Sequence, residues 1–134
     1  MRPSEDEISY KLVRACHLGH KEVVERLLQE KVDVNAAVRD SGKTALQAAA
    51  EGGHLVVVER LFQEKADVNA AVGNYRRAAL HIAAGGGHLA VVERLLYEKA
   101  NVNAAIGYYR RVALHVAAKG GYRGLAEYFI RRVL

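Results

Sequence analysis

DVNAAVGNYRRAALHIAAGGGHLAVVERLLYEKA occupies residues 67–100 and decides the fold, because the chain repeats it on both sides. Residues 33–66 read DVNAAVRDSGKTALQAAAEGGHLVVVERLFQEKA, and residues 101–134 read NVNAAIGYYRRVALHVAAKGGYRGLAEYFIRRVL. The period is 34 residues. Upstream, ACHLGHKEVVERLLQEKV aligns with AAEGGHLVVVERLFQEKA, so a first unit without its leading turn fills residues 1–32. Self-similarity at such a period marks stacked supersecondary units, each unable to bury its own apolar face. The expected organisation is one domain, 1–134. It has an N-terminal capping unit at 1–32, inner units at 33–66 and 67–100, and a C-terminal capping unit at 101–134.

Each unit is expected to hold two short helices. In the second, Val57, Val58, Leu61 and Phe62 form one apolar stripe at helical spacing, with Glu59 and Arg60 on the other face. Val23, Val24, Leu27, Leu28 and Val91, Val92, Leu95, Leu96 repeat it. The first helix is short and alanine-rich, as in Leu46, Ala49 and Ala50, so a neighbouring backbone can approach closely. The Gly-Gly at 52–53, 86–87 and 120–121 is expected to stop it, since glycine accepts the left-handed turn after a helix end. His54 and His88 then open the second helix. The stretch 67–77 is polar and glycine-marked, and reads as a turn or hairpin between units. Ser4 followed by Glu7 reads as a capping box ahead of Ile8, Leu12 and Val13. Tyr128, Phe129, Arg131 and Arg132 depart from the inner units, as a terminal repeat facing water should.

The composition fits a folded chain: apolar residues are 51 % and charged residues 26 %. Cys16 is the single cysteine, aligned with Ala50, and is expected to be a small buried thiol. No apolar signal core crosses Arg2, Glu5, Asp6, Glu7 and Lys11, and no apolar run reaches the roughly 18 residues that span a bilayer. A soluble, intracellular, monomeric protein without membrane attachment is expected. The net charge of +5 is uneven. Residues 1–72 hold ten basic and twelve acidic residues, a net −2, whereas 73–134 hold ten basic and three acidic, a net +7. A basic C-terminal half suits an acidic partner surface.

These motifs resemble the ankyrin repeat, whose pattern is a turn, T-P-L-H-x-A-A, G-H-x-E-V-V-x-x-L-L and G-A-D-V-N-A. The counterparts here are TALQAAA at 44–50, AALHIAA at 78–84, VALHVAA at 112–118, GHKEVVERLL at 19–28, ADVNA at 66–70 and its Asn101 variant at 100–104. The resemblance covers nearly the whole chain. It implies an all-α solenoid of four helix-turn-helix units with β-turn or hairpin tips, acting in protein–protein interaction. The departures are specific. Each turn has one extra residue; the proline is Ala45, Ala79 and Ala113; threonine survives only as Thr44, and Gln47 replaces a histidine. The family's Thr–His hydrogen bond is therefore expected to be incomplete in every unit. The turn glycine is kept as Gly42 but is Arg76 and Arg110 later, so those tips are expected to adopt another conformation.

In this family partners usually dock on the tips and inner helices. Units 33–66 and 67–100 share 22 of 34 positions, and 8 of the 12 differences fall between 39 and 48. A constant framework under a variable turn is what a binding surface needs. The expected anchors are Asn74, Tyr75, Arg76 and Arg77 in one tip and Tyr108, Tyr109, Arg110 and Arg111 in the next, since tyrosine and arginine are enriched at interfaces. Ser41 and Lys43 hold the equivalent places one period earlier, and Asp40, Glu51 and Lys119 are expected on the same side. The partner is expected to be a protein with an acidic surface. The alternative is a nucleic acid or another polyanion, with Arg on phosphate and Tyr on bases. The likeness of the units is that of consensus-designed arrays, such as an engineered binder or scaffold, or of recently duplicated natural ones.

No enzyme is expected, and no cofactor or metal. His20, His54 and His88 share one repeat position and His81 and His115 another, which is framework placement. His17 and His20 stand three apart with no further ligand at metal spacing. The glycines at 85–87 follow a helix, not a strand, and so make no dinucleotide fingerprint.

Overall fold

The computed structural model describes residues 4–39, 41–70, 78–98 and 100. Three consecutive helix pairs lie in that range: α1 Glu5–Leu18 with α2 Lys21–Leu28, α3 Ala45–Gly52 with α4 Leu55–Gln63, and α5 Ala79–Gly85 with α6 Leu89–Tyr97. The described residues contain no strand. α1, α3 and α5 form an inner row, with α3 packed between the other two; α2, α4 and α6 form an outer row. The result is an all-α repeat solenoid. The expected fourth unit, 101–134, lies outside the described residues.

The inner helices are short because the sequence stops them with glycine. Gly19, Gly53 and Gly87 have φ of 73°, 71° and 71°, in the left-handed region. At each of these turns the glycine N–H and the next N–H reach back to the last helical carbonyls; Gly53 N donates to Ala50 O at 3.2 Å and His54 N to Ala49 O at 3.0 Å. This double bond pattern satisfies carbonyls a helix end would otherwise leave open. α1 is longer, and its start is set by Ser4, whose Oγ accepts from Glu7 N at 3.2 Å. Glu5, Asp6 and Glu7 then place negative charge on the positive end of the helix dipole.

Burial explains the alanines. Ala45, Leu46, Gln47, Ala48, Ala49 and Ala50 are all buried, as are the six residues from Ala79 to Ala84. An inner helix has a neighbour on each side and an outer helix behind it, so most of its circumference needs small side chains. The outer stripes supply bulk: Val57, Val58 and Leu61 from α4, and Val91, Val92, Leu95 and Leu96 from α6. Cys16 is fully buried in the same core, and desolvation pushes its thiol from 9.0 up to about 12.

Adjacent pairs are cross-linked by repeated polar groups. His54 and His88 stand at the start of the outer helices without capping them. Their rings reach back instead: His54 Nε2 lies 3.0 Å from His17 O, and His88 Nε2 lies 3.1 Å from Glu51 O. A Cβ at Gly19 or at Gly52 would stand 2.5 Å from the His54 ring, so both positions must be glycine. In the turns, Asn35 donates through Nδ2 to Lys65 O at 3.3 Å and accepts through Oδ1 from Asp67 N at 2.7 Å. On the outer row Arg60 holds Glu25 of the preceding helix and Glu64 of its own, each at 2.8 Å. Arg94 repeats the arrangement more loosely, with Glu59 at 3.9 Å and Glu98 at 3.1 Å. The hydrogen bonds that Arg60 donates to Glu64 and then to Glu25 raise the pKa of its guanidinium further.

The expected loss of the helix-start hydrogen bond in every unit needs correction. Gln47 completes a capping box on α3: Thr44 Oγ1 accepts from Gln47 N at 3.3 Å, and Gln47 Oε1 accepts from Thr44 N at 2.8 Å. The amide reaches where a histidine would have, because only an acceptor at the third helical position is required. Lys65 is a second departure. It has φ of 63°, the only positive value among the described non-glycine residues, at the position where the ankyrin pattern has glycine. A side chain there costs about 1 kcal/mol.

Candidate functional site

The described tip runs from Val38 to Lys43, without Asp40. Val38 N donates to Lys43 O at 2.9 Å, and Gly42 N donates to Val38 O at 2.6 Å. Gly42 takes φ of 71° at the turn, as its retention in this tip predicts. Ser41 Oγ accepts from Lys43 N at 3.2 Å and stiffens the return limb. Lys43 then points onto the inner row, where Nζ meets Glu51 Oε2 of α3 at 2.6 Å. Three expected site residues, Ser41, Lys43 and Glu51, are thereby brought to one side of the molecule. Asp40, Asn74, Tyr75, Arg76, Arg77, Tyr108, Tyr109, Arg110, Arg111 and Lys119 lie outside the described residues.

Between this tip and α1 lies a cleft of about 200 Å³. Tyr10, Val13, Arg14, His17 and Leu18 line it from the helix, and Val38, Ser41 and Lys43 from the tip. Tyr10 is 54 % exposed and Leu18 46 %, so apolar surface is open to solvent at its rim. Arg14, His17 and Lys43 bring basic groups to the same opening, with Glu51 already engaged by Lys43. At the other end of the tip, Arg39 and Asp6 stand 3.7 Å apart with both side chains almost fully exposed. Such a contact contributes little.

The sequence reading did not select Tyr10, Arg14, His17 or Leu18. The signal was present. Arg14 aligns with Ala48 and Ile82, and His17 with Glu51 and Gly85, which are positions where the inner units differ. Carrying that comparison back one period would have placed both on the variable inner face.

The cleft sets basic groups beside apolar ones. Its nearest sulfur, Cys16, is buried and holds its proton at neutral pH. Among the described residues no three His, Cys, Asp or Glu side chains converge on a point. Among the same residues no helix is long and apolar enough to cross a membrane.

The ankyrin-repeat family, described as ankyrin repeats in three copies, matches residues 9–72 and again 71–133. This chain belongs to that family, and ankyrin repeats are generally protein–protein interaction modules. No curated protein matches the sequence.

Proposed function

We propose that this chain binds a partner protein along the side formed by its tips and inner helices, and that the partner presents acidic and apolar groups together. The observation that carries this reading is the cleft between α1 and the 38–43 tip. There, the exposed Tyr10 and Leu18 adjoin Arg14, His17 and Lys43. An apolar anchor entering it would leave water while an adjacent carboxylate met the basic rim, a combination typical of interface hot spots. The Tyr-Arg-Arg sequences at 75–77 and 109–111 would extend the same basic, aromatic surface along the stack.

The test begins with a partner isolated on the intact protein and measures its affinity for two variants. One carries Arg14→Ala with Lys43→Ala; the other carries alanine at Tyr75, Arg76, Tyr109 and Arg110. Each is expected to bind at least about tenfold more weakly, because buried aromatic and arginine anchors typically cost about 2 kcal/mol. Unchanged affinity in both would move the site to the outer helices and end the proposal.

A further inference from the structure

α1 begins earlier in its repeat than α3 and α5 do. It has 14 residues where α3 has 8 and α5 has 7. Residues 5–10, one period before 39–44, are helical in it. The extra turns lengthen one row of side chains. Asp6, Tyr10 and Arg14 are four residues apart and stand nearly one above another on the same face. All three are exposed. Tyr10 lines the cleft beside the 38–43 tip together with Arg14, His17 and Lys43, and it lines a second groove together with Asp6, Glu7 and Lys11. The two openings therefore share Tyr10.

The row is oppositely charged at its two ends. Asp6 and Glu7 lie before Tyr10, and Arg14, His17 and Lys43 lie beyond it. Lys11 stands four residues after Glu7, on the neighbouring row, where it balances that charge. Asp6 is approached by Arg39 at 3.7 Å, but those side chains are 78 % and 90 % exposed, so the contact is weak and a better-placed cation displaces it. Spacing then selects the shape of a ligand. Four helical residues rise about 6 Å. Alternate residues of an extended chain point to the same side about 6.7 Å apart. Three same-side residues of an extended segment thus stay in register with Asp6, Tyr10 and Arg14. A helix, about 10 Å across, does not enter a cleft of about 200 Å³.

We propose that this face of α1 seats an extended segment of the partner with a cation, an apolar side chain and a carboxylate at alternate positions. The cation meets Asp6, the apolar side chain enters beside Tyr10, and the carboxylate meets Arg14 and Lys43. The proposal rests on the partner-binding reading of the cleft given above and adds the acidic end, the order of groups and their spacing.

A random peptide library displayed on phage and selected on the intact protein tests this. Enriched peptides should carry Lys or Arg, an aliphatic or aromatic residue, and Asp or Glu at alternate positions. A synthetic peptide of that pattern should bind Asp6→Lys and Arg14→Glu each about tenfold more weakly, because like charges then meet. Asp6→Asn, which keeps the size, should shift affinity in the same direction. A peptide with carboxylates at both ends should bind Asp6→Lys about tenfold more tightly than it binds the parent protein. Asp6 and Arg14 are exposed, so circular dichroism should show each variant folded like the parent. Peptides weakened by Arg14→Glu but indifferent to both Asp6 variants would overturn this proposal and leave the partner-binding reading standing. Enriched groups spaced three or four residues apart, as on a helix, would do the same. No enrichment, or binding indifferent to Arg14→Glu as well, would count against both.

Discussion

α3 and α5 are the same helix built twice with different starts. Both follow an extended residue, Thr44 with φ −93° and ψ 167° and Ala78 with φ −64° and ψ 159°. Both bury every residue from the first position to the sixth. Yet α3 has a reciprocal capping box and α5 has no side-chain cap. Gln47 also donates through Nε2 to Ala70 O at 3.2 Å, tying α3 to the turn that leads into the next pair. The difference teaches that the cap does not decide where these helices begin. Burial of a small apolar face between two neighbours decides it, and the cap adds stability and a tether on top.

The strongest way to break this comparison is to remove Gln47. Gln47→Ala leaves the Thr44 N–H and the Ala70 carbonyl without their side-chain partner in a buried setting. Urea unfolding should show a loss of about 2–3 kcal/mol, since each stranded buried group costs about 1–3 kcal/mol. A loss under about 0.5 kcal/mol would mean the box is ornamental and burial alone holds the helix start.

The converse change sharpens it. Ala78→Thr gives α5 the N-cap that α3 has, with the backbone N–H of His81 as the donor. A gain of about 1 kcal/mol is expected. Ala78 is buried, so a loss of stability would show that the start of α5 has no room for the added atoms.

The smallest effect concerns the outer row of the same two pairs. Arg60 contacts both its carboxylates at 2.8 Å, while Arg94 contacts its own at 3.9 and 3.1 Å. Arg60→Ala should cost about 1 kcal/mol and Arg94→Ala about 0.5 kcal/mol or less. Molar salt should shrink both costs. Equal costs that ignore salt would assign the effect to packing of the arginine stems, including that of Arg94 over the Tyr97 ring at 5.2 Å.

How much of this could be read beforehand depended on where each partner lies. The VVERL stripe, the Gly-Gly stop and the buried Cys16 follow from helix periodicity or from one repeat laid on another, and the structure has them as expected. The reach of His54 and His88 was not legible, because a histidine at the head of a helix is locally indistinguishable from a cap. Gln47 was read as a loss because a family pattern names a residue, while a capping box asks only for an acceptor three positions on. The cleft was missed because the first unit lacks a leading turn, which hid its Arg14 and His17 from the comparison of inner units.

The sequence by itself determined the repeat, its period, the two helices within each unit and the apolar faces they must bury. All of these rest on spacings of a few residues along one chain segment, which helix geometry converts directly into faces. Only the tertiary structure decided what those faces and their polar borders meet. Asn35 finds Lys65 and Asp67, His54 finds the His17 carbonyl, and Arg60 finds Glu25, partners 30 to 37 residues away. Only stacking fixes such distances, and stacking also left Val23 open while closing over Val57 and Val91.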